Sequence, residues 1–560
     1  MTAPSRARTD VDALAEDHLA RQVAHDPLLA THLGAPTGHD ALPALTPDWF
    51  AQASDERRRT LAALAAATPV DEQDRVTVAA LRDQLETLEA VRAIGDDLCD
   101  LDVIASPQEE VRLVFDLMPT ATDDDWATIA RRMAAVPAAL EGFAASLRQA
   151  AAHGRVPARR QVEEVAARLG ANTGPDGFFA TLAADGPETV AADLRRGAEL
   201  AGGAYAALAD FLRSELLPSA PERDAAGRER YAVHLRRHLG AEVDIDETYV
   251  WGQEELARIT AEQAEVAERI SPGRSVKDVM AGLDADPARQ LHGTDALREW
   301  MQRKSDEAID ALGTDASGNG QFVIPDVLRR LECRIAPTHA GGVYYTHPTD
   351  DFSRPGRMWW SVPEGLEVFS TWQELTTIYH EGVPGHHLQI GSAIANRELN
   401  GWRRQLANNN GHAEGWALYA ERLMAELGFL DDPADRLGML DAQAMRAARV
   451  VLDIGVHCEL PMPAASAHPG AAWTFERALE FFAAHSAWDE GNRTFEVLRY
   501  FGWPGQAPSY KLGERLWRQL RDDVRAAEGD RFDLARYHRR VLDLGGMGLD
   551  VLRRAVLGGA

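Results

Sequence analysis

Residues 379–389, Tyr-His-Glu-Gly-Val-Pro-Gly-His-His-Leu-Gln, place a proline and a glycine between two groups of histidines. The preceding apolar residues have helical spacing, so we expect a helix over 371–381. Pro384 lacks the N–H that would bond the carbonyl of His380, and Gly385 can take a positive φ. The helix therefore cannot stay regular between the two groups of histidines.

His380 and Glu381 match the start of the His-Glu-x-x-His pattern of zinc-binding helices, with extra residues before the next histidine. On an ideal helix His386 would point about 120° away from His380, so the two can share one ion only if the segment bulges. Spacing alone does not decide between His386 and His387. We favour His386, because related zinc motifs often place glycine directly before the second ligand, and His387 would then orient substrate or support a ligand.

A third ligand is expected on a later helix, over residues 412–427. Glu414 and Glu421 lie on one face of this helix among alanines and a tryptophan. A carboxylate in apolar surroundings is costly unless it is paired or bound to metal. Glu414 is the predicted ligand, and Glu421 is a candidate partner of a ligand or an ordinary salt-bridged glutamate. The competing interpretation of the whole cluster is a polar helix end without metal.

The rest of the chain indicates a mainly α protein, because Ala, Leu, Glu and Arg dominate and apolar residues recur at helical spacing. Short β-prone runs between residues 330 and 370 predict a small antiparallel sheet just before the metal helix. We expect one helical unit over 1–560, with lobes near 1–240 and 241–560. The amphipathic segments before the proposed boundary are 10–33, 46–67, 71–93, 105–117, 123–153, 157–170 and 186–217.

Charge and cysteine content exclude several classes of function. The net charge of −28 argues against nucleic acid or an anionic membrane as a partner. Three widely spaced cysteines, Cys99, Cys333 and Cys458, fit neither a disulfide framework nor a cysteine zinc site. The N-terminal residues contain no apolar run of signal-peptide length, and no stretch approaches the roughly 18 apolar residues of a membrane span. A cytoplasmic location is expected.

The metal motif and the Glu-Gly-Trp-Ala-Leu-Tyr-Ala-Glu helix at 414–421 resemble those of the DUF885 family of bacterial proteins. The resemblance extends to residues 26–27, 249–255, 353–356, 453–457, 499–500 and 504–513, and so covers nearly the full length. It implies a helical, zincin-like metallopeptidase, similar in plan to thimet oligopeptidase-like and carboxypeptidase Taq-like enzymes. Those enzymes have two lobes and a central cleft.

Further polar residues are candidates for contact with substrate. Tyr510 could donate a hydrogen bond to a developing oxyanion. His457 ends a polar stripe that begins at Arg446 and continues through Arg449 and Asp453, and it is the member expected to reach the substrate. Lys511, Arg499 and Arg354 are competing candidates for binding a substrate carboxylate. The alternative for the stripe is a structural Arg–Asp pair that locks two helices, and the alternative for Tyr510, Lys511, Arg499 and Arg354 is a structural role.

These observations predict a zinc-dependent hydrolase, and we expect a peptidase of short peptides. Zn²⁺ held by His380, His386 and Glu414 would activate a water molecule, with Glu381 as general base and Tyr510 at the oxyanion. The alternatives are a metal-dependent hydrolase or lyase of small-molecule metabolism, and a non-catalytic scaffold stabilised by metal. The sequence does not determine the oligomeric state.

Overall fold

The computed structural model describes residues 6–314, 320–336 and 342–558. It contains 67% helix and 4% strand, which confirms the mainly α class. Within these residues no helix combines the length and the apolar character that a membrane crossing requires.

The first ten helices are α1 (Asp10–His25), α2 (Pro27–Leu33), α3 (Pro47–Ala66), α4 (Glu72–Ala93), α5 (Pro107–Leu113), α6 (Asp123–Ala152), α7 (Arg159–Arg168), α8 (Phe178–Ala184), α9 (Ala191–Phe211) and α10 (Arg228–Leu239). The later helices are α11 (Ile245–Ile270), α12 (Val276–Asp284), α13 (Thr294–Leu312), α14 (Thr371–Glu381), α15 (His386–Ala395), α16 (Gly401–Gln405), α17 (Asn410–Glu426), α18 (Pro433–His457), α19 (Phe475–Ala484), α20 (Glu490–Gly502), α21 (Pro508–Glu528), α22 (Leu534–Asp543) and α23 (Leu549–Leu557).

Local chemistry sets many of the helix boundaries. Thr9 and Thr122 each accept a hydrogen bond from the third residue of the following helix, whose aspartate bonds back to the threonine N–H. The segment predicted as one helix over 10–33 is two helices, because Asp26 ends α1 and caps α2, which has Pro27 as its first residue. Proline is favoured at a first helical position and disfavoured inside a helix.

The strands form two small sheets, and the prediction of a purely antiparallel sheet is wrong. The strands are β1 (Gln290–His292), β2 (Leu331–Ile335), β3 (Val343–Thr346), β4 (Gly356–Trp360) and β5 (Val368–Ser370). β1 pairs with β5 antiparallel, whereas β4 lies between β2 and β3 in a mixed sheet. β4 runs parallel to β2 and antiparallel to β3. The β-prone runs between residues 330 and 370 indicated β2 to β5 but not β1, and they carried no information on the direction or order of the strands.

Two groups of buried apolar side chains form the core. The smaller group is drawn almost entirely from α2 and from residues 42–220, whereas the larger unites α1, α4 and α10 with most of the chain after α10. The predicted boundary near residue 240 stays a prediction. In the larger core, α14 packs against α17 and α18, α17 packs along α21, and α18 packs along α11. These four helices, α14, α17, α18 and α21, carry most of the candidate site.

Helices α17 and α21 approach each other through glycine. A Cβ atom on Gly415 would lie 2.4 Å from the carbonyl carbon of Gly513, far inside van der Waals contact. Gly415 directly follows Glu414, so this close packing also fixes the position of a predicted ligand.

We expect Gly415→Ala to destabilise the protein by about 1–3 kcal/mol, because the added methyl group forces α17 away from α21. The measurement is the free energy of unfolding in denaturant, together with Tm. Gly203→Ala on α9 is the matched control, since nothing lies within 4 Å of its Cβ position. The control is expected to be neutral or to gain up to about 1 kcal/mol from helix propensity. Equal stability of the two variants would contradict the packing argument.

Candidate metal centre

The metal motif is two helices joined by a tight connection. α14 ends at Glu381 and α15 begins at His386, so the helix is broken and not merely bulged. Gly385 has φ −75°, so it does not use the positive φ that glycine allows. Glycine is required there for another reason: a Cβ atom would lie 1.8 Å from the carbonyl oxygen of His380. The Gly385 N–H donates to the carbonyl of Tyr379 at 3.0 Å.

This connection brings together three of the predicted ligands. Nε2 of His380 lies 3.4 Å, and Nε2 of His386 3.5 Å, from Oε2 of Glu414. The three candidate ligand atoms all lie within 4.8 Å of one another. Zinc–ligand bonds of about 2.0–2.1 Å at tetrahedral angles separate two ligand atoms by roughly 3.4 Å. The spacing of the three side chains therefore fits a zinc ion.

A second observation points the same way. Oε2 of Glu414 is buried and has no hydrogen-bond partner among the described residues. A buried carboxylate oxygen is costly without a partner. Burial raises the pKa of Glu414, but His386 and His380 hold it well below its usual range, so this carboxylate is charged.

Glu421 supports His380 from behind. The Nδ1 atom of His380 donates to Oε1 of Glu421 at 2.8 Å, and Glu421 is fully buried. Nε2 of Gln443 donates to Oε2 of Glu421 at 3.1 Å, and Nη2 of Arg446 lies 3.6 Å from Oε1 of Glu421. A carboxylate that fixes the tautomer and orientation of a metal-ligating histidine is a recurrent feature of zinc sites. Burial lowers the pKa of His380, but Glu414 and Glu421 outweigh it and raise that pKa to about 9.

His387 points away from the cluster. Its Nε2 donates to the carbonyl of Leu328 at 2.8 Å, so its Nδ1 accepts from the hydroxyl of Tyr345 at 2.9 Å. Burial lowers the pKa of His387 to about 4. A side chain on Gly356 would collide with this pair, since a Cβ atom there would lie 2.5 Å from Nδ1 of His387. Both ring nitrogens of His387 are engaged, which leaves His386 beside His380.

Glu381 and Tyr510 border the three side chains. Glu381 is the last residue of α14 and is 6% exposed. Burial raises its pKa, His380 and His386 lower it, and Glu414 raises it. Burial and the charge of Glu414 raise the pKa of Tyr510, which keeps its hydroxyl protonated.

Two buried guanidinium groups hold the Tyr510 ring. The guanidinium carbon of Arg449 lies 5.2 Å, and that of Arg499 6.0 Å, from the ring centre. Pro508 begins α21 two residues before Tyr510, at a position where proline favours helix formation. The ring is therefore held by two cations at the start of a well-defined helix.

The geometry argues against a substrate-binding role for His457 and Lys511. Nδ1 of His457 accepts from the N–H of Ala226 at 3.2 Å, and Nε2 donates to the carbonyl of Tyr500 at 2.8 Å. Lys511 is 1% exposed. Its Nζ donates to Glu514 at 2.5 Å and to Gln443 at 2.5 Å, and lies 3.1 Å from Glu255. These side chains are structural, because protein groups already use their polar atoms.

The two predicted arginines are also engaged. Arg499 donates to Glu496 at 2.9 Å and to Gln506 at 2.7 Å, and it is 8% exposed. Arg354 donates to the backbone carbonyls of His32 and His347, both at 3.4 Å. Arg499 thus acts through the Tyr510 ring, whereas Arg354 ties the loop before β4 to α2.

Sequence reasoning missed Tyr345, Gln443 and Glu496, which hold His387, Glu421 and Arg499 respectively. Gln443 lies three residues before Arg446, on the same stripe of α18, so helical spacing could have identified it. Tyr345 and Glu496 come from other elements, and no local pattern links them to the motif.

Solved structures with the same fold include two bacterial proteins. A "putative lipoprotein" from Colwellia psychrerythraea is 23% identical, with TM-score 0.84 and 98% of each chain covered. A "putative lipoprotein of unknown function" from Shewanella oneidensis is 15% identical, with TM-score 0.71, covering 98% of this chain and 100% of that one. These descriptions contradict the expected cytoplasmic location, which is withdrawn.

A carboxypeptidase from Pyrococcus furiosus aligns over 99% of each chain at 12% identity, but its TM-score of 0.37 does not establish a shared fold. No curated protein matches the chain. The family described as "Bacterial protein of unknown function (DUF885)" matches residues 27–556. The chain therefore belongs to the DUF885 family.

Proposed function

We propose that this protein is a zinc-dependent hydrolase of short peptides. The observation that carries the proposal is the buried Oε2 of Glu414, which has no hydrogen-bond partner among the described residues and lies 3.4 and 3.5 Å from two imidazole nitrogens. Two histidines and one carboxylate make a common ligand set of catalytic zinc sites, in which a fourth position stays open. A purely structural site would have its four positions filled by protein.

His380, His386 and Glu414 would hold the ion. When bound, Zn²⁺ supplies Lewis acidity, which polarises a carbonyl group and makes a water molecule more acidic. The buried carboxylate of Glu381 directly follows the ligand His380 and is the base that takes the proton from that water. Glu381 then returns the proton to the leaving amine.

Tyr510 is the proposed donor to the oxyanion. Its hydroxyl is protonated, its ring lies against Arg449 and Arg499, and Glu414 is close enough to influence its pKa. A fixed donor in a water-poor site stabilises developing negative charge more strongly than a mobile one. His457 has no part in this step, because both of its ring nitrogens bond the backbone.

The expected zincin-like architecture, with two helical lobes around a cleft, is part of the same proposal. A zincin-like arrangement of two helical lobes around a cleft would admit short peptides and exclude folded proteins. A metal-dependent hydrolase or lyase of small molecules, and a metal-stabilised scaffold, are the outcomes against which the proposal is tested.

We expect Glu381→Gln to retain zinc but to lose hydrolysis by at least about 100-fold, because an amide cannot accept the proton. The measurements are zinc per chain and the digestion of a short-peptide library, with and without chelator. Glu364→Gln is the matched control, since Glu364 is exposed. Full turnover by Glu381→Gln would contradict the assignment of the base. Zinc binding without hydrolysis of any peptide by the unmodified protein would favour small-molecule chemistry or a scaffold.

His386→Ala and His387→Ala should differ in metal content. We expect His386→Ala to lose zinc and His387→Ala to retain it, because only His386 lies beside His380 and Glu414. Zinc per chain after dialysis, compared at equal helix content by circular dichroism, is the measurement. His387→Ala is expected to unfold at lower Tm, since it leaves the Leu328 carbonyl and the Tyr345 hydroxyl without their partner. Full zinc retention by His386→Ala would refute the ligand assignment.

A further inference from the structure

A second feature, a cavity of about 280 Å³, lies between α4, α10, the start of α17 and the segment after α20. Its volume is near the lower end of the range for small-molecule pockets, which suits a group of one or two residues. The lining side chains relevant here are Arg236, Arg237, His238, Trp402, Asn410 and Trp503.

Several hydrogen-bond donors on side chains that line this cavity have no acceptor among the described residues, and Nη1 of Arg236 is one of them. Nε2 of His238 is buried and has no partner among the described residues. Its Nδ1 lies 3.5 Å from the side-chain nitrogen of Asn410, an N–H donor, which leaves the ring proton on Nε2. Burial, and then the charge of Arg237, holds the pKa of His238 well below its usual range, so the ring is neutral. The guanidinium of Arg237 forms no hydrogen bond or ion pair in the part of the chain that the structure describes.

The acidic groups near the cavity do not neutralise Arg237. Asp83 is paired with Arg236. Burial and the neighbouring Asp102 raise the pKa of Asp100, whereas Arg237 lowers it, and the two side chains form no hydrogen bond or ion pair among the described residues. A half-buried cation and an adjacent buried N–H donor therefore line a cavity whose lining carboxylate, Asp83, is already paired with Arg236. An anionic group with two acceptor oxygens fits these donors.

Two parts of the structure link the cavity with the candidate metal centre. Asn410 precedes Glu414 by one helical turn of α17, which is about 6 Å along the helix axis. Trp503 is linked to Tyr510 through Arg499, whose guanidinium carbon lies 6.0 Å from the centre of each ring. An extended peptide spans about 3.3–3.6 Å per residue, so roughly two residues cover the distance along α17.

We propose that Arg237 and His238 bind the C-terminal carboxylate of a short peptide, and that the bond to be cleaved lies one or two residues before it. This inference rests on the proposed peptidase function and deepens it, because it makes the enzyme one that removes residues from a free C-terminus. Trp503 and Trp402 would contact the apolar part of the terminal residue.

The test compares N-acetyl-alanyl-alanine with its C-terminal amide as ligands, by calorimetric titration. The protein is Glu381→Gln, both zinc-loaded and after chelation, so that neither turnover nor direct binding of the carboxylate to zinc contributes. We expect the free acid to bind the chelated protein about tenfold or more tightly than the amide, as a charge-assisted hydrogen bond predicts. Arg237→Met should abolish this preference. Arg195→Met, which removes an exposed arginine on α9, should keep it.

Equal affinities for acid and amide, no binding of either, or an unchanged preference in Arg237→Met would overturn the inference. The outcome is separate from that of the proposed function. Absence of zinc or of hydrolysis would refute the zinc peptidase while leaving the binding preference intact. Hydrolysis that is indifferent to C-terminal amidation would refute the carboxylate site and leave the peptidase standing.

Discussion

The buried hydrogen bond between His380 and Glu421 is the constraint on which the candidate site depends. Glu421 is fully buried, and a carboxylate in such a position is tolerated only with fixed partners. Its two oxygens accept from His380 on α14 and from Gln443 on α18, while Glu421 itself belongs to α17. One side chain thus ties three helices together. Removing one member of a buried charged pair costs about 3–5 kcal/mol, so the geometry of the site and the stability of the fold are set by the same contacts.

The network continues to a fourth and a fifth helix through Lys511. Its ammonium group donates to Gln443, which in turn holds Glu421, and it also contacts Glu255 on α11 and Glu514 on α21. Lysine is rare in this chain, and the structure gives a physical reason for one here. A compact ammonium group with three N–H donors can bond three acceptors that surround it, whereas the larger planar guanidinium of arginine is suited to the two oxygens of one carboxylate or phosphate. These contacts favour the structural alternative for Lys511 over binding of a substrate carboxylate.

The helices could be predicted because their signals are local. Apolar periodicity, caps and proline positions located α3, α4 and α6 to within two residues of their ends. The short helix α8 lacked enough turns to show a period. In the order β2-β4-β3 the last of the three strands in the chain pairs with both of the others, and no residue within a strand indicates this pairing. Sequence therefore predicts the class and most helices of this fold but not the topology of its sheet.

The same distinction explains the candidate site. His380, Glu381 and Glu414 stand out because chemistry and spacing coincide within short segments. The choice between His386 and His387 depends on the path of the chain through Gly385, which is set by its contact with the His380 carbonyl. His457 illustrates the same distinction, because a polar stripe on an apolar helix indicates that polar partners face it, whether these are substrate or protein. Here the facing groups are backbone atoms of Ala226 and Tyr500, and only the packed structure supplies them. Buried atoms without a hydrogen bond among the described residues, such as Oε2 of Glu414, are therefore stronger indicators of a ligand than polar residues as such.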